Sequence, residues 1–137
     1  MVNAGGDIRT KGRTLRVGLE NPADTTQAIG VAEISNISIC GSAGNRRAWD
    51  KYTHIINPKT AKSPTETLAV WVVAESTILA DGLTTALFFT EPNLLKDKFN
   101  FEFFLLKLNR KNSPLRQHRK LASVLEGIRF YILLFSF

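Results

Sequence analysis

Residues 68–76, LAVWVVAES, form a nearly continuous apolar run in the middle of the chain. Such a run is typical of a β-strand that is buried on both faces. Residues 15–22, LRVGLENP, instead alternate apolar and polar positions before an Asn-Pro break, which indicates a half-buried strand. Alternating or β-rich sequence predicts three further strands, at 31–42, 52–56 and 99–109.

One segment changes from strand-like to helical periodicity. In residues 76–89, STILADGLTTALFF, the apolar side chains recur at helical spacing, with Ser76 as the N-cap and Glu91-Pro92 as the stop. A second helix is expected around residues 117–125. Because strands dominate, the predicted fold class is α+β, with a mainly antiparallel sheet and one or two packed helices.

Length, charge and cysteine content exclude several classes of protein. A chain of 137 residues favours one domain. Its net charge is +6, but residues 1–95 carry nine basic and nine acidic side chains, so the whole excess lies in residues 96–137. We therefore expect no nucleic-acid partner. The single cysteine, Cys40, excludes an intramolecular disulfide and a Cys-based zinc spacing, and a reducing compartment would suit it.

No targeting or membrane-spanning segment is visible. The N-terminus, MVNAGGDIRT, lacks the apolar run of a signal peptide. The apolar stretch FYILLFSF near the end is shorter than the roughly 20 residues that a membrane span needs. A membrane is therefore not expected as a partner of this chain.

The predicted helix carries two oxygen-bearing side chains on one face. Asp81 and Thr85 are four residues apart, about one helical turn. A carboxylate and a hydroxyl suit Mg²⁺, which takes one or two protein oxygens together with waters and phosphate. The alternative is a solvated aspartate and a threonine bonded back to its own helix.

Two glycine-containing segments are candidate ligand contacts. In NAGGDI, residues 3–8, the paired glycines allow backbone N–H groups to approach a phosphate or a ring, and Asp7 can orient a ligand. In GSAGNRR, residues 41–47, Arg46 and Arg47 can hold an anion. In each case the alternative is a plain turn with solvated side chains.

His54 is the best acid–base candidate, because its unperturbed pKa of about 6.5 lies near neutrality. The alternative is a packed or capping histidine. His118, in the basic tail, is expected to be solvated, and Cys40 to be buried with no partner that suggests a thiol nucleophile. Trp49 and Trp71 are interpreted as core or turn-packing aromatics.

The order of these segments is more specific than any one of them. The chain contains NAGGDIR, GLENP, GSAGNRR, YTHIINPKTAKSP and ADGLTTALF, in that order. This series resembles the ApbE family, the FAD:protein FMN transferases, from about residue 2 to residue 89. The resemblance implies an ApbE-like architecture of the T-fold kind, in a domain over residues 1–109 that is followed by a divergent basic and apolar tail over 110–137.

The resemblance also implies an activity and roles for six residues. Such proteins split FAD and transfer FMN to a Thr or Ser hydroxyl of a target flavoprotein, releasing AMP, with Mg²⁺ required. His54 matches the position of the catalytic base. Asp81 and Thr85 match the metal-binding motif, and Ile55 matches a flavin-nucleotide contact. Gly6 and Asp7, in the glycine-rich segment, are assigned to cofactor binding.

The chain departs from the family pattern at several points. Asn57 replaces the usual Asp, and Ala61 replaces the usual Gly, which matters if the position needs a positive φ. The family's N-terminal portion has no counterpart, so we expect an incomplete site that needs a missing N-terminal half or a homo-oligomer. Two alternatives to a transferase are a flavin-binding module and an inactive fragment. The compartment stays open, since full-length relatives are often exported or membrane-anchored.

Overall fold

The computed structural model describes residues 1–50, 52–108, 116–119 and 128–132. Most of the described elements are strands, and every described pairing between them is antiparallel. In chain order the elements are β1 (Val2–Asn3), β2 (Ile8–Arg9), β3 (Thr14–Asn21), β4 (Asp24–Ser35), β5 (Ser38–Ala43), β6 (Ala48–Trp49), β7 (Tyr52–Thr53), β8 (Thr67–Ala74), α1 (Thr77–Ala86), α2 (Pro92–Lys96), β9 (Glu102–Lys107), β10 (Arg116–Arg119) and β11 (Ile128–Ile132). The structure thus confirms a mostly antiparallel α+β fold with two helices.

The larger sheet has six strands in the order β1-β2-β5-β8-β9-β10. Strand β8 lies inside it, with Trp71 paired to Gly41 on one side and to Phe104 on the other. Nearly all of β8 is buried. The prediction of a strand buried on both faces is therefore confirmed, and the reason is that each face of this sheet is covered.

A three-stranded sheet, β11-β4-β3, covers one face. Strands β3 and β4 form a hairpin whose inward side chains include Leu19 and Ile34. These pack against Trp71 and Phe104 of the larger sheet, together with Phe130 of β11. The result is a sandwich of two sheets in which alternate residues of each strand face the shared core.

Helix α1 covers the other face. It begins where predicted, since the Leu79 N–H donates to the Ser76 hydroxyl at 3.4 Å. Its buried side chains, Ala80 and Leu83 among them, pack on the β5, β8 and β9 residues of that face. The Thr77 and Ser38 hydroxyls share a hydrogen bond of 2.7 Å, which anchors the first turn of α1 over the start of β5. None of the described helices is long and apolar enough to cross a membrane.

Two sequence-based predictions of elements are wrong. The single strand at 31–42 is two strands in different sheets, because Asn36 takes a left-handed conformation (φ 55) and breaks the chain between them. The Asn36 amide oxygen accepts a 2.7 Å hydrogen bond from the Gly12 N–H, which stabilises the break. The helix expected at 117–125 is also wrong where it can be tested: Arg116–Arg119 is strand β10, paired to β9, and residues 120–127 lie outside the described residues.

Candidate functional site

His54 follows β7 and is exposed. Its backbone N–H donates to the Arg47 carbonyl oxygen at 3.0 Å, which ties it to the segment after β5. Within the described residues its imidazole makes no hydrogen bond. An exposed imidazole with free ring nitrogens is open to a group brought by another molecule.

The backbone around His54 is fixed by two hydroxyls. The Thr53 N–H donates to the Ser63 hydroxyl at 2.8 Å, and the Ile55 N–H donates to the Thr53 hydroxyl at 3.2 Å. The Ile55 side chain is 5% exposed and packs in the core beneath α1. The buried side chain of Ile55 therefore leaves only its backbone for the predicted flavin contact.

The turn after His54 contains both departures from the family pattern. The Asn57 amide oxygen accepts from the Lys59 N–H at 2.9 Å, and the Asn57 carbonyl oxygen accepts from the Ala61 N–H at 2.8 Å. An aspartate oxygen would accept the first of these bonds equally well, so Asn57 keeps the turn and loses only the charge. Ala61 has a φ of 54°, which shows that the position does require the left-handed region.

Asp81 and Thr85 are both exposed on α1, one turn apart. The threonine that bonds back to its own helix is the buried neighbour Thr84, whose hydroxyl donates to the Asp81 carbonyl oxygen at 2.7 Å. Thr84 also shares a 2.8 Å hydrogen bond with the Ser42 hydroxyl of β5. Within the described residues the Thr85 hydroxyl makes no hydrogen bond, so its oxygen is available to a ligand.

Asp7, directly before β2, acts on Cys40 of β5, beneath α1. Burial raises the pKa of the Cys40 thiol well above its usual range, helped by a hydrogen bond to the Asp7 carboxylate, by the charge of Asp7 and by that of Asp81. The charges of two carboxylates from distant parts of the sequence therefore both act on one buried thiol. Cys40 is buried as predicted, and its sulfur donates weakly to the Thr77 carbonyl oxygen at 3.6 Å. Its high pKa makes it a poor nucleophile.

The described residues contain no group of three or more His, Cys, Asp and Glu that could hold a metal ion. A cation beside Asp7 and Asp81 would therefore take few protein ligands and draw the rest from water and substrate. This is how Mg²⁺ is commonly held at phosphate sites, so the donors fit that metal better than a metal that needs a full protein cage.

The segment that carries His54 is connected to Asp7 and Asp81 only through other residues of β5 and α1. The hydroxyl pair of Ser42 and Thr84 sets α1 on the end of β5, and a side chain at Gly44 would meet Thr53 at 3.4 Å. His54 thus lies beyond the end of β5, and in the described residues no hydrogen bond joins it to Asp81 or Thr85. Ser42 and Cys40, which connect the site residues, carry no sequence signal beyond their place in a strand.

Gly6 does not face the same way as Asp7. Gly6 lines a cleft between the two sheets, whereas Asp7 is directed toward Cys40 and α1. A second cavity, of about 390 Å³, lies between the 57–67 loop and the end of α1 and includes Asn57 in its lining. Of the six candidate site residues, all of them in the described part of the chain, Gly6 lines the cleft and none lines the cavity of 390 Å³.

Comparison with known proteins identifies relatives of this chain. The model of the ApbE family matches residues 1–101. An FAD:protein FMN transferase from Haemophilus influenzae is 31% identical over 100 residues, a match that covers 64% of this chain and 29% of that protein. The chain thus spans less than a third of the length of this relative.

Two solved structures share the fold. The ApbE protein from Thermotoga maritima superimposes with a TM-score of 0.68 at 20% identity, over 84% of this chain and 41% of that one. The flavin transferase ApbE from Vibrio cholerae gives a TM-score of 0.65 at 22% identity, over 84% of this chain and 40% of that one. At such identities the likeness concerns the fold alone.

Proposed function

The chain belongs to the ApbE family, and from that premise we propose that it is a Mg²⁺-dependent FAD:protein FMN transferase. The reaction would move FMN from FAD to a Thr or Ser hydroxyl of a target flavoprotein and release AMP. The observation that carries the proposal is the exposed pair of Asp81 and Thr85, one turn apart on α1, together with Asp7, whose charge acts with that of Asp81 on the Cys40 thiol.

The two carboxylates support a cation site for a pyrophosphate substrate. Asp81 and Thr85 would be the ligands that α1 supplies, and Asp7 would add negative charge from β2. Bound there, Mg²⁺ would neutralise charge on the pyrophosphate and on the leaving AMP. The protein's own part is positioning: the Ser42–Thr84 bond holds α1 on β5 and so fixes where Asp81 stands.

His54 would act as the base. The acceptor hydroxyl attacks the phosphorus of the FMN moiety, the bond to the bridging oxygen breaks, and AMP leaves with that oxygen. The proton of the hydroxyl passes to the imidazole of His54, which lies exposed at the end of β7. Exposure suits this role, because the hydroxyl belongs to another protein and has to reach the ring from outside.

A flavin-binding module without turnover is the second candidate. Two observations favour it: Asn57 brings no carboxylate to the turn, and within the described residues no hydrogen bond orients the imidazole of His54. A base held in one orientation is more effective than a free one. In this case FAD would bind, and the binding would be insensitive to His54→Ala.

The transfer assay separates the two candidates. The purified chain is incubated with FAD, Mg²⁺ and an acceptor flavoprotein domain, and covalent FMN is read as fluorescence on a denaturing gel. We expect a fluorescent acceptor band that fades when Mg²⁺ is chelated, and that falls by about 10²–10⁴-fold in His54→Ala. The matched control is His118→Ala, which removes the chain's other histidine.

A second arm of the assay tests whether transfer needs the part of the relative that this chain does not span. The residues of the Haemophilus influenzae relative that lie outside the match are supplied as a separate chain, and the assay is repeated. We propose that a missing N-terminal half or a second copy completes the nucleotide site, so this arm should raise the yield. No labelled acceptor in either arm, with FAD bound all the same, would favour the binding module.

A further inference from the structure

The acidic and basic side chains of residues 1–95 are equal in number but separated along the chain. Residues 45–63 contain five of the nine basic side chains and one of the nine acidic ones, a net charge of +4. The other four basic and eight acidic side chains give −4. Every charged residue of 45–63 that the structure describes is exposed, so this segment presents a cationic surface on a body whose remaining charge is negative.

This segment, which we call the His54 surface, is held together by hydrogen bonds around His54. The His54 N–H donates to the Arg47 carbonyl oxygen at 3.0 Å, which closes the β6-β7 hairpin. The Ser63 hydroxyl accepts from the Thr53 N–H at 2.8 Å and lies 3.3 Å from the Thr53 carbonyl oxygen, so the loop after β7 folds back onto that strand. Cations before and after His54 are therefore carried by the same scaffold as the candidate base.

Most cations of the His54 surface have no anion beside them. Arg46 is paired to Glu20 at 2.9 Å. In the part of the chain that the structure describes, Arg47, Lys59 and Lys62 form no ion pair. Exposed cations without partners attract a complementary anionic surface and steer its approach.

An exposed aromatic pair lies on the same surface. Trp49 and Tyr52 are cross-strand partners in the β6-β7 hairpin, whose turn includes Asp50 in a left-handed conformation (φ 52). The Trp49 side chain is 57% exposed and the Tyr52 side chain 37%. Tryptophan and tyrosine are enriched at protein interfaces, where one such residue often supplies a large part of the binding energy. The hairpin therefore offers an apolar contact between the cations.

We propose that the His54 surface docks an acidic segment of the acceptor protein, one that also carries an apolar side chain. The carboxylates would meet the unpaired cations, the apolar side chain would cover Trp49, and the acceptor hydroxyl would thereby be brought to the imidazole of His54. That the occupant is an acceptor rests on the proposed function. The acidic and apolar character of the occupant follows from the surface itself.

Peptide binding tests the inference without FAD or Mg²⁺, so the result does not depend on transfer. A fluorescein-labelled peptide, with a threonine flanked by aspartates and a leucine, is titrated with the chain, and its anisotropy is followed. We expect saturable binding that weakens as salt rises and that is about tenfold tighter than binding of a matched peptide with asparagine in place of each aspartate. FAD, AMP and a single-stranded oligothymidylate are added as competitors, and none should displace the peptide.

Matched variants place the peptide on the surface. Trp49→Ala should weaken binding by about tenfold, and Trp49→Phe should restore most of the loss. Tyr131→Ala removes an exposed aromatic side chain from β11 and should have no effect. Arg47→Ala keeps the backbone bond to His54 and should weaken binding by about threefold, whereas Arg16→Ala, at an exposed position of β3, should not.

The inference is overturned if the acidic peptide does not bind saturably, if both peptides bind equally, or if Arg47→Ala and Arg16→Ala have equal effects. Displacement by FAD, AMP or the oligothymidylate would also overturn it, because the cations would then serve a nucleotide or a nucleic acid. Binding of the acidic peptide with no FMN transfer to an acceptor domain would contradict the proposed function and leave the docking surface standing. Transfer with a KM for the acceptor that Trp49→Ala and Arg47→Ala leave unchanged would do the reverse.

Discussion

Ala61 shows how one residue can be strained by the turn in which it lies. Its φ of 54° is in the left-handed region, where a Cβ crowds the backbone at a cost of about 1–2 kcal/mol. The turn keeps it there through the Ala61 N–H bond to the Asn57 carbonyl oxygen at 2.8 Å. This loop leads from His54 into β8, so its strain bears on the candidate base.

We expect Ala61→Gly to raise the free energy of unfolding by about 1 kcal/mol, because the relief of strain outweighs the added freedom of the unfolded chain. Urea denaturation measures it. The matched control is Ala23→Gly, an exposed position without a positive φ, which should lower stability by about 0.5–1 kcal/mol. Equal losses at the two positions would contradict the left-handed conformation of Ala61.

The Cys40 thiol predicts a pH dependence of stability. Its pKa is raised in the folded protein, so the unfolded chain loses this proton first as pH rises above the ordinary value of 9.0. Stability is therefore fully present below that value and falls above it, by about 1.4 kcal/mol between about pH 8 and about pH 10. Parallel urea titrations of the native chain and Cys40→Ala measure the difference, which should disappear in the variant.

If Cys40→Ala loses as much stability with rising pH as the native chain does, the thiol is not held protonated by its surroundings. Lysines and tyrosines titrate in both proteins, so comparison of the two cancels their contribution.

At the scale of single residues, the sequence predicted the environment of a residue better than the direction in which its side chain points. The burial of Cys40 followed from its place at a strand end. The positive φ of Ala61 was raised only as a condition, by comparison with the family pattern, and the φ of 54° meets it. Gly6 and Asp7 lie directly before β2, so the side of the sheet that each one reaches depends on the register of β2 against β5, which pairs Ile8 with Ile39. A register slip of one residue would exchange the two faces, and no local pattern in NAGGDI fixes it. The roles assigned to the site residues stay predictions.

At the scale of elements, an ion pair between a half-buried lysine and a buried glutamate joins α2 to β9. Lys96 Nζ lies 3.1 Å from Glu102 Oε1, and the Glu102 side chain is only 5% exposed. The ammonium group also lies over the rings of Phe101 and Phe103, at 5.3 and 5.8 Å from their centroids. Loss of the lysine would leave a carboxylate buried without its cation.

We expect Lys96→Met to lower the free energy of unfolding by about 3 kcal/mol, since a buried pair is broken from one side. Lys98→Met, two residues away and exposed, is the control and should change it by less than about 0.5 kcal/mol. The double variant Lys96→Met/Glu102→Gln should recover much of the loss. Additive losses in this cycle would show that the two groups do not interact.

Periodicity and end signals predicted the elements that are regular along the chain. Strand β8 and helix α1, with its Ser76 cap, are where the sequence placed them. The break at Asn36 was missed because the apolar alternation continues on both sides of it, although the strands belong to different sheets. Strand β10 was missed because its four residues gain their strand conformation from pairing with β9, a tertiary effect.

At the scale of the molecule, the fold brings motifs that are far apart in the sequence onto the two faces of one sheet. Glycines 5, 6, 18 and 41, from distant parts of the sequence, line one cleft between the sheets, and helix α1 carries Asp81 on the opposite face of the larger sheet. The order of motifs predicted the family, which a match over residues 1–101 establishes. The distance between residues on the two faces of the larger sheet depends on how the second sheet and α1 pack against it. A sequence pattern carries no information about that packing.

The most direct test of the proposed activity is its stoichiometry. The chain, alone or with the relative's remaining residues, is incubated with FAD, Mg²⁺ and the acceptor domain. Mass spectrometry counts FMN attached to the acceptor, and chromatography counts AMP. We predict one attached FMN for each AMP released, with both falling together in His54→Ala and Asp81→Asn. AMP released without acceptor modification, or FAD left intact in both arms, would contradict a flavin transferase.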